Sequence, residues 1–95
     1  MAYKVEWTNR ALRDLKKIDR AQRAIILAWV KKDLETADNP CSLANAKPLE
    51  GVENGWRWRI GTYRLVGTVI NSVVTVTLFR VGHRRDAYRN LPKKL

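Results

Sequence analysis

The sequence has one cysteine and one histidine. It therefore cannot close an internal disulfide, and no Cys/His cluster has the spacing of a zinc site. With nothing to staple the chain, a reducing, cytoplasmic setting is expected. Long apolar runs are missing too. The longest, Ala24 to Val30, is seven residues, where a membrane span needs about 20. The opening Met-Ala-Tyr-Lys-Val-Glu-Trp has no signal-peptide core, so a chain neither exported nor membrane-spanning is expected. There is no glycine-rich phosphate loop, internal repeat, low-complexity segment or linker. Carboxylates are scarce in the second half: residues 56–95 contain only Asp86. Neither a two-metal phosphodiesterase site nor a paired-carboxylate site can be built there. Cys41 follows a proline in a loop with no histidine nearby in sequence, which makes it a poor nucleophile candidate. No cofactor or metal is expected.

What is abundant is positive charge. Nineteen Lys and Arg against nine Asp and Glu give +10 over 95 residues, which points to a polyanionic partner. The length suits one domain, residues 1–95, and at 45% hydrophobic and 29% charged the composition is that of a folded chain. The charge is unevenly distributed. Residues 1–55 carry ten basic and eight acidic side chains, whereas residues 56–95 carry nine basic and one acidic, seven of the nine being arginine.

Hydrophobic periodicity organises the chain. Tyr3 to Trp7 alternates with period two, as a half-buried strand does. Thr8 suits a helix N-cap, and Leu12, Leu15 and Ile18 then recur on one side, with Arg10, Arg13, Asp14, Lys16 and Lys17 on the other. Asp19 with Gln22 resembles a capping box and opens a second helix through Ala21, Ile25, Ala28 and Trp29, ending before Asn39-Pro40. Residues 39–55, with two prolines and two glycines, read as a loop. Three strands follow: Trp56 to Ile60, Tyr63 to Ile70, and Val73 to Val81. Gly61-Thr62 and Asn71-Ser72 are the two-residue turns between them.

Two-residue turns fix a register. Ile60 faces Tyr63, Arg59 faces Arg64, and across the second hairpin Phe79 faces Arg64. One sheet face then carries Arg57, Arg59, Arg64, Val66, Thr75, Thr77, Phe79 and Val81. The other carries Trp56, Trp58, Ile60, Tyr63, Leu65, Val69, Val74, Val76 and Leu78 and is the core face under the helices. Opposed like charges destabilise a sheet pair, so the arginine face favours a ligand over a merely solvated surface. Guanidinium groups in a fixed array suit phosphate oxygens. Gly82 permits a sharp exit after which His83, Arg84 and Tyr88 return over the edge of that face. His83 is the one histidine, a side-chain type suited to moving protons, and Tyr88 offers a hydroxyl and a stacking surface. The alternatives are a surface histidine in a basic turn and a terminal aromatic packed on the body. The chemistry open to Arg, His and Tyr alone is attack of an RNA 2′-hydroxyl on its adjacent phosphate.

The run Trp56 to Val66 and the segment Arg80-Val-Gly-His-Arg-Arg-Asp-Ala-Tyr88, in the element order β-α-α-β-β-β, resemble the RelE/ParE toxin superfamily, most specifically its RelE-like branch. The resemblance implies an α+β fold, with two N-terminal helices packed on an antiparallel sheet, as in microbial RNase-like proteins. It also implies a ribosome-dependent, metal-independent endoribonuclease that cleaves mRNA in the decoding site and so inhibits translation. Its partners would be the ribosome, mRNA and an acidic RelB-like antitoxin, held in a higher-order hetero-oligomer. The family's site positions fall on Arg57, Arg59, Arg64, Arg84 and Tyr88, with His83 beside them. Family members often have lysines where Arg57 and Arg59 stand, and arginine does not readily give up its proton, so either these residues only stabilise charge and His83 or Tyr88 handles protons, or cleavage is slow, or the activity differs. The second expectation is a ParE-like toxin that inhibits DNA gyrase, and a third is a plain nucleic-acid-binding module.

Overall fold

The alternation at Tyr3 to Trp7 forms strand β1, Lys4–Trp7, with Tyr3, Val5 and Trp7 packed toward the core. The structure is a computed structural model and describes residues 3–83. Thr8 Oγ1 accepts the Ala11 N–H at 3.2 Å and caps helix α1, Asn9–Lys17. Asp19 Oδ2 accepts the Gln22 N–H at 3.3 Å and caps helix α2, Arg20–Trp29. Between the helices, the Arg23 guanidinium donates to the Ile18 carbonyl at 2.9 Å. It supplies a partner that the helix end lacks. α2 continues as a π-helical turn, Val30–Leu34, closed by Glu35 N–H to Val30 C=O at 2.8 Å. The wider turn keeps Leu34 in line with Ile26 and Val30, and all three are buried.

The remaining strands are β2 (Ala46–Pro48), β3 (Gly55–Ile60), β4 (Tyr63–Ile70) and β5 (Thr75–His83). The sheet order is β1-β5-β4-β3-β2, with β1 parallel to β5 and the other neighbours antiparallel. Two helices on a mostly antiparallel sheet is the α+β architecture expected. Ala11, Leu15, Ile18 and Ile26 meet Trp58, Leu65, Val69, Val76 and Leu78 in one core. Trp58 is fully buried, and its Nε1–H donates to the Pro40 carbonyl at 3.0 Å. That bond ties a short 3-10 turn, Pro40–Ser42, to β3.

Four expectations are corrected. First, residues 39–55 are not all loop. β2 lies within them, and Leu49 and Val52 cover Val66 and Phe79 in a small second apolar cluster on the outer face.

Second, the connection from β4 to β5 is longer than two residues. Ile70 pairs with Thr75, and the turn is a 3-10 segment, Asn71–Val73, followed by Val74 in left-handed conformation at φ 49°. Val74 therefore leaves the core face.

Third, the register shifts between Val66 and Gly67, leaving Phe79 as an extra residue on β5. A bulge of one residue exchanges the two faces beyond it. Arg64 therefore faces Gly82 rather than Phe79, Val81 joins the core, and Arg80 takes the outward register opposite Val66. Gly67 is what permits this, because a Cβ there would lie 2.4 Å from the Thr77 carbonyl oxygen.

Fourth, the helices are rotated from their expected faces. α1 buries Ala11, Asp14 and Leu15 and exposes Leu12, while α2 buries Ile26 and exposes Ile25. Asp14 is drawn inward because it has partners waiting on β5.

Candidate phosphate-binding face

The β3–β4 hairpin has the expected register. Ile60 pairs with Tyr63 and Arg59 with Arg64 across a turn in which Gly61 has φ 62°. Arg57 stands two residues before Arg59 on the same face and pairs with Val66. β2 adds a residue that the sequence reading missed: Lys47 lies directly across from Arg57. Reading across the sheet, one row is Lys47, Arg57, Val66 and Arg80, and the next is Arg59, Arg64 and Gly82. The glycine opposite Arg64 adds no side chain to that row.

Two of these arginines are held by backbone. Arg57 Nη1 donates to the Asn45 carbonyl at 3.1 Å, and Arg59 Nε donates to the Gly61 carbonyl at 3.4 Å. Each bond uses one of five N–H donors, orienting the fork while leaving most of it for a ligand. Asn45 is itself fixed, its Nδ2 donating to the Arg59 carbonyl at 2.8 Å. Lys47, Arg57 and Arg59 share an open hollow of about 380 Å³ with Ala44, Asn45 and Gly61. Among the described residues no carboxylate pairs with Lys47, Arg57 or Arg59.

Arg80 is held differently. Its Nε donates to Asp14 Oδ2 at 2.9 Å, and the same oxygen accepts the Val81 N–H at 3.0 Å. Arg10 completes the cluster at 3.5 Å from Asp14 Oδ1. β1 pairs with β5 only as far as Leu78, where Thr8 N–H donates to the Leu78 carbonyl and the chain turns into α1. Asp14 thus takes over where strand pairing stops, satisfying an edge N–H of β5.

His83 does not join Arg57 and Arg59. The bulge places it across from Tyr63, on the helix side of the sheet, with ring centroids 5.2 Å apart in an edge-to-face contact at 74°. It lines a second hollow with Arg10, Asp14, Lys17, Tyr63 and Arg80. Arg84 and Tyr88 lie outside the described residues. Burial raises the pKa of the Cys41 thiol above its ordinary value, which lowers the thiolate fraction at neutral pH. Among the described residues no three His, Cys, Asp or Glu side chains come together as metal ligands. No described helix is long and apolar enough to cross a membrane.

The model of the ParE toxin of the type II toxin–antitoxin system parDE matches residues 5–88. The chain belongs to the RelE/ParE toxin superfamily. Three relatives carry RelE-type names. Toxin RelG of Mycobacterium tuberculosis is 36% identical over 90 residues, covering 94% of this chain and 99% of that protein. The toxin–antitoxin complex RelBE2 of the same organism contains a chain at 32% identity and TM-score 0.74, covering 88% of this chain and 100% of that one. The intact E. coli RelBE complex contains one at 28% identity and TM-score 0.68, covering 86% and 96%. This chain is therefore a toxin of a type II toxin–antitoxin system with a RelE-like fold. Lys47 had one signal in the sequence: Pro48 can end a strand only at a sheet edge. The outward turn of Arg80 also had one, in Gly67, since a glycine inside a strand pattern often marks a bulge.

Proposed function

We propose that this toxin is an endoribonuclease that cleaves mRNA on the ribosome without a metal. The observation that carries this reading is the opposed Arg59–Arg64 pair, built into a two-residue hairpin on a face where Arg57 and Lys47 add charge and no carboxylate pairs with Lys47, Arg57 or Arg59 among the described residues. Such a pair costs stability unless an anion lies between the strands' side chains. In the reaction, the 2′-oxygen of one nucleotide bonds to the adjacent phosphorus and the P–O bond to the next nucleotide's 5′-oxygen breaks. The 2′-hydroxyl loses its proton and the leaving oxygen gains one. Arg57, Arg59 and Arg64 would hold the phosphate and offset the charge that grows on its oxygens. Arg84 would join them, and Tyr88 would stack on or orient the target nucleotide, as the family resemblance implies. Arginine keeps its proton, so none of the four arginines moves protons in this scheme. His83, on the helix side of the sheet, has no contact with Arg57 or Arg59 through which to serve their phosphate directly.

Charge and kinship support an antitoxin partner, since the RelBE structures it resembles are toxin–antitoxin complexes. A cytoplasmic protein at +10 attracts an acidic, partly disordered segment that folds over it, in a complex of more than two chains. The decisive experiment adds the purified toxin to ribosomes stalled on a defined mRNA and maps the 5′ ends. Codon-associated cleavage is expected, and intact mRNA alongside persistent growth arrest in cells would overturn the ribonuclease reading.

The ParE description of the matching family model favours one second reading, inhibition of DNA gyrase. In that case the toxin would block supercoiling by purified gyrase and leave ribosome-bound mRNA whole.

A further inference from the structure

The cationic face holds two opposed pairs, not one, and they share a strand. Arg59 faces Arg64 across β3 and β4, and Lys47 faces Arg57 across β2 and β3. Along β3 the two pairs are offset by two residues, about 7 Å in an extended strand. That offset is comparable to the spacing of neighbouring phosphates along one nucleic-acid strand. We infer that Lys47 adds a second phosphate subsite, with Arg57 shared between it and the reacting phosphate, so that the face grips two consecutive phosphates of a single-stranded RNA. This rests on the reading of the Arg59–Arg64 pair as a phosphate site.

Three observations support a built subsite. Lys47, Arg57 and Arg59 line the same hollow, so a strand entering it meets all three cations. Among the described residues none of the three is neutralised by a carboxylate. The Arg57 fork is also held in place by the Asn45 carbonyl at 3.1 Å, on the segment leading into β2. The edge strand therefore carries Lys47, and the residue leading into it orients Arg57. The competing account is that Lys47 only keeps an exposed sheet edge from pairing with other chains. That role needs a charge on β2 but gives no reason for Arg57 to be anchored opposite it over a shared hollow.

The two accounts differ in a binding experiment with uncleavable 2′-O-methyl RNA. A dinucleotide without terminal phosphates offers one phosphodiester and a trinucleotide offers two, and each is titrated by NMR against wild type, K47Q, K47R and R64Q. Lys47 is exposed, so its variants should fold. K47Q is expected to weaken the trinucleotide several-fold and to leave the dinucleotide within about twofold, while K47R restores binding. For single strands each neutralised phosphate adds about 0.7 to the slope of log affinity against log salt, and K47Q should remove one such increment from the trinucleotide. If K47Q weakens both ligands equally, or neither, the second subsite does not exist. If folded R64Q binds both ligands as wild type does, the phosphate reading of the Arg59–Arg64 pair fails, which is a different result.

Discussion

Asp14 and Arg80, 66 residues apart in the chain, form a buried ion pair at 2.9 Å, and the same carboxylate oxygen also accepts the Val81 N–H. One side chain of α1 thereby fixes the end of β5 after β1 has left it. Removing a partner from a buried pair costs about 3 kcal/mol. Asp14→Ala is expected to lower the melting temperature by roughly 12–24 °C for a domain of this size. Asp14→Asn keeps an acceptor for the Val81 N–H and should fall between. Thermal melts followed by circular dichroism measure this, and an Asp14→Ala variant melting within a few degrees of wild type would show that the cluster contributes little.

Arg59 should behave in the opposite way. Its charge faces that of Arg64 and it is exposed, so Arg59→Gln relieves repulsion. A gain of about 0.2–1 kcal/mol is expected, the size of one cross-strand pair. Cleavage should fall by about 10²–10³ if the arginine stabilises charge in the transition state. Parallel denaturant melts and single-turnover cleavage assays test both. Loss of stability together with retained activity would mean that Arg59 is structural.

Gly67 is the residue on which the face exchange in β5 depends. An added Cβ would lie 2.4 Å from the Thr77 carbonyl, and backbone cannot easily yield. Gly67→Ala should cost about 1–3 kcal/mol, as overpacking does. Hydrogen exchange should show the loss concentrated at Thr77 to Arg80 on the facing strand. Unchanged protection there would mean that the bulge tolerates a side chain.

Cys41 should be chemically quiet. Burial raises its thiol pKa, so less of it is thiolate at neutral pH than in a free cysteine. Alkylation by iodoacetamide at neutral pH is expected to be slower than for free cysteine, and to accelerate as the pH rises through the alkaline range. Cys41→Ser should leave cleavage unchanged. Rapid labelling of the folded protein at neutral pH would contradict this.

Much of the fold was legible locally. The caps at Thr8 and Asp19 and the Gly61-Thr62 turn depend on residues close in sequence, and their hydrogen bonds and register follow those residues. The Arg59–Arg64 pairing was readable for the same reason, because a two-residue turn leaves one way to count outward. The loop from 39 to 55 was not. β2 is three residues, too short to show a period, and it exists because β3 offers it an edge.

The sequence by itself determined that this is a basic α+β chain whose second half concentrates arginine, and that Arg57, Arg59 and Arg64 share one face. Those properties follow from composition and from alternation along short segments. Only the tertiary structure decided that Lys47 joins them, that Arg80 is held by Asp14, and that His83 lies on the opposite side of the sheet beside Tyr63. Each of these depends on contacts between segments distant in the chain. A one-residue bulge, invisible to a strict count of alternating positions, then reverses every face that follows it.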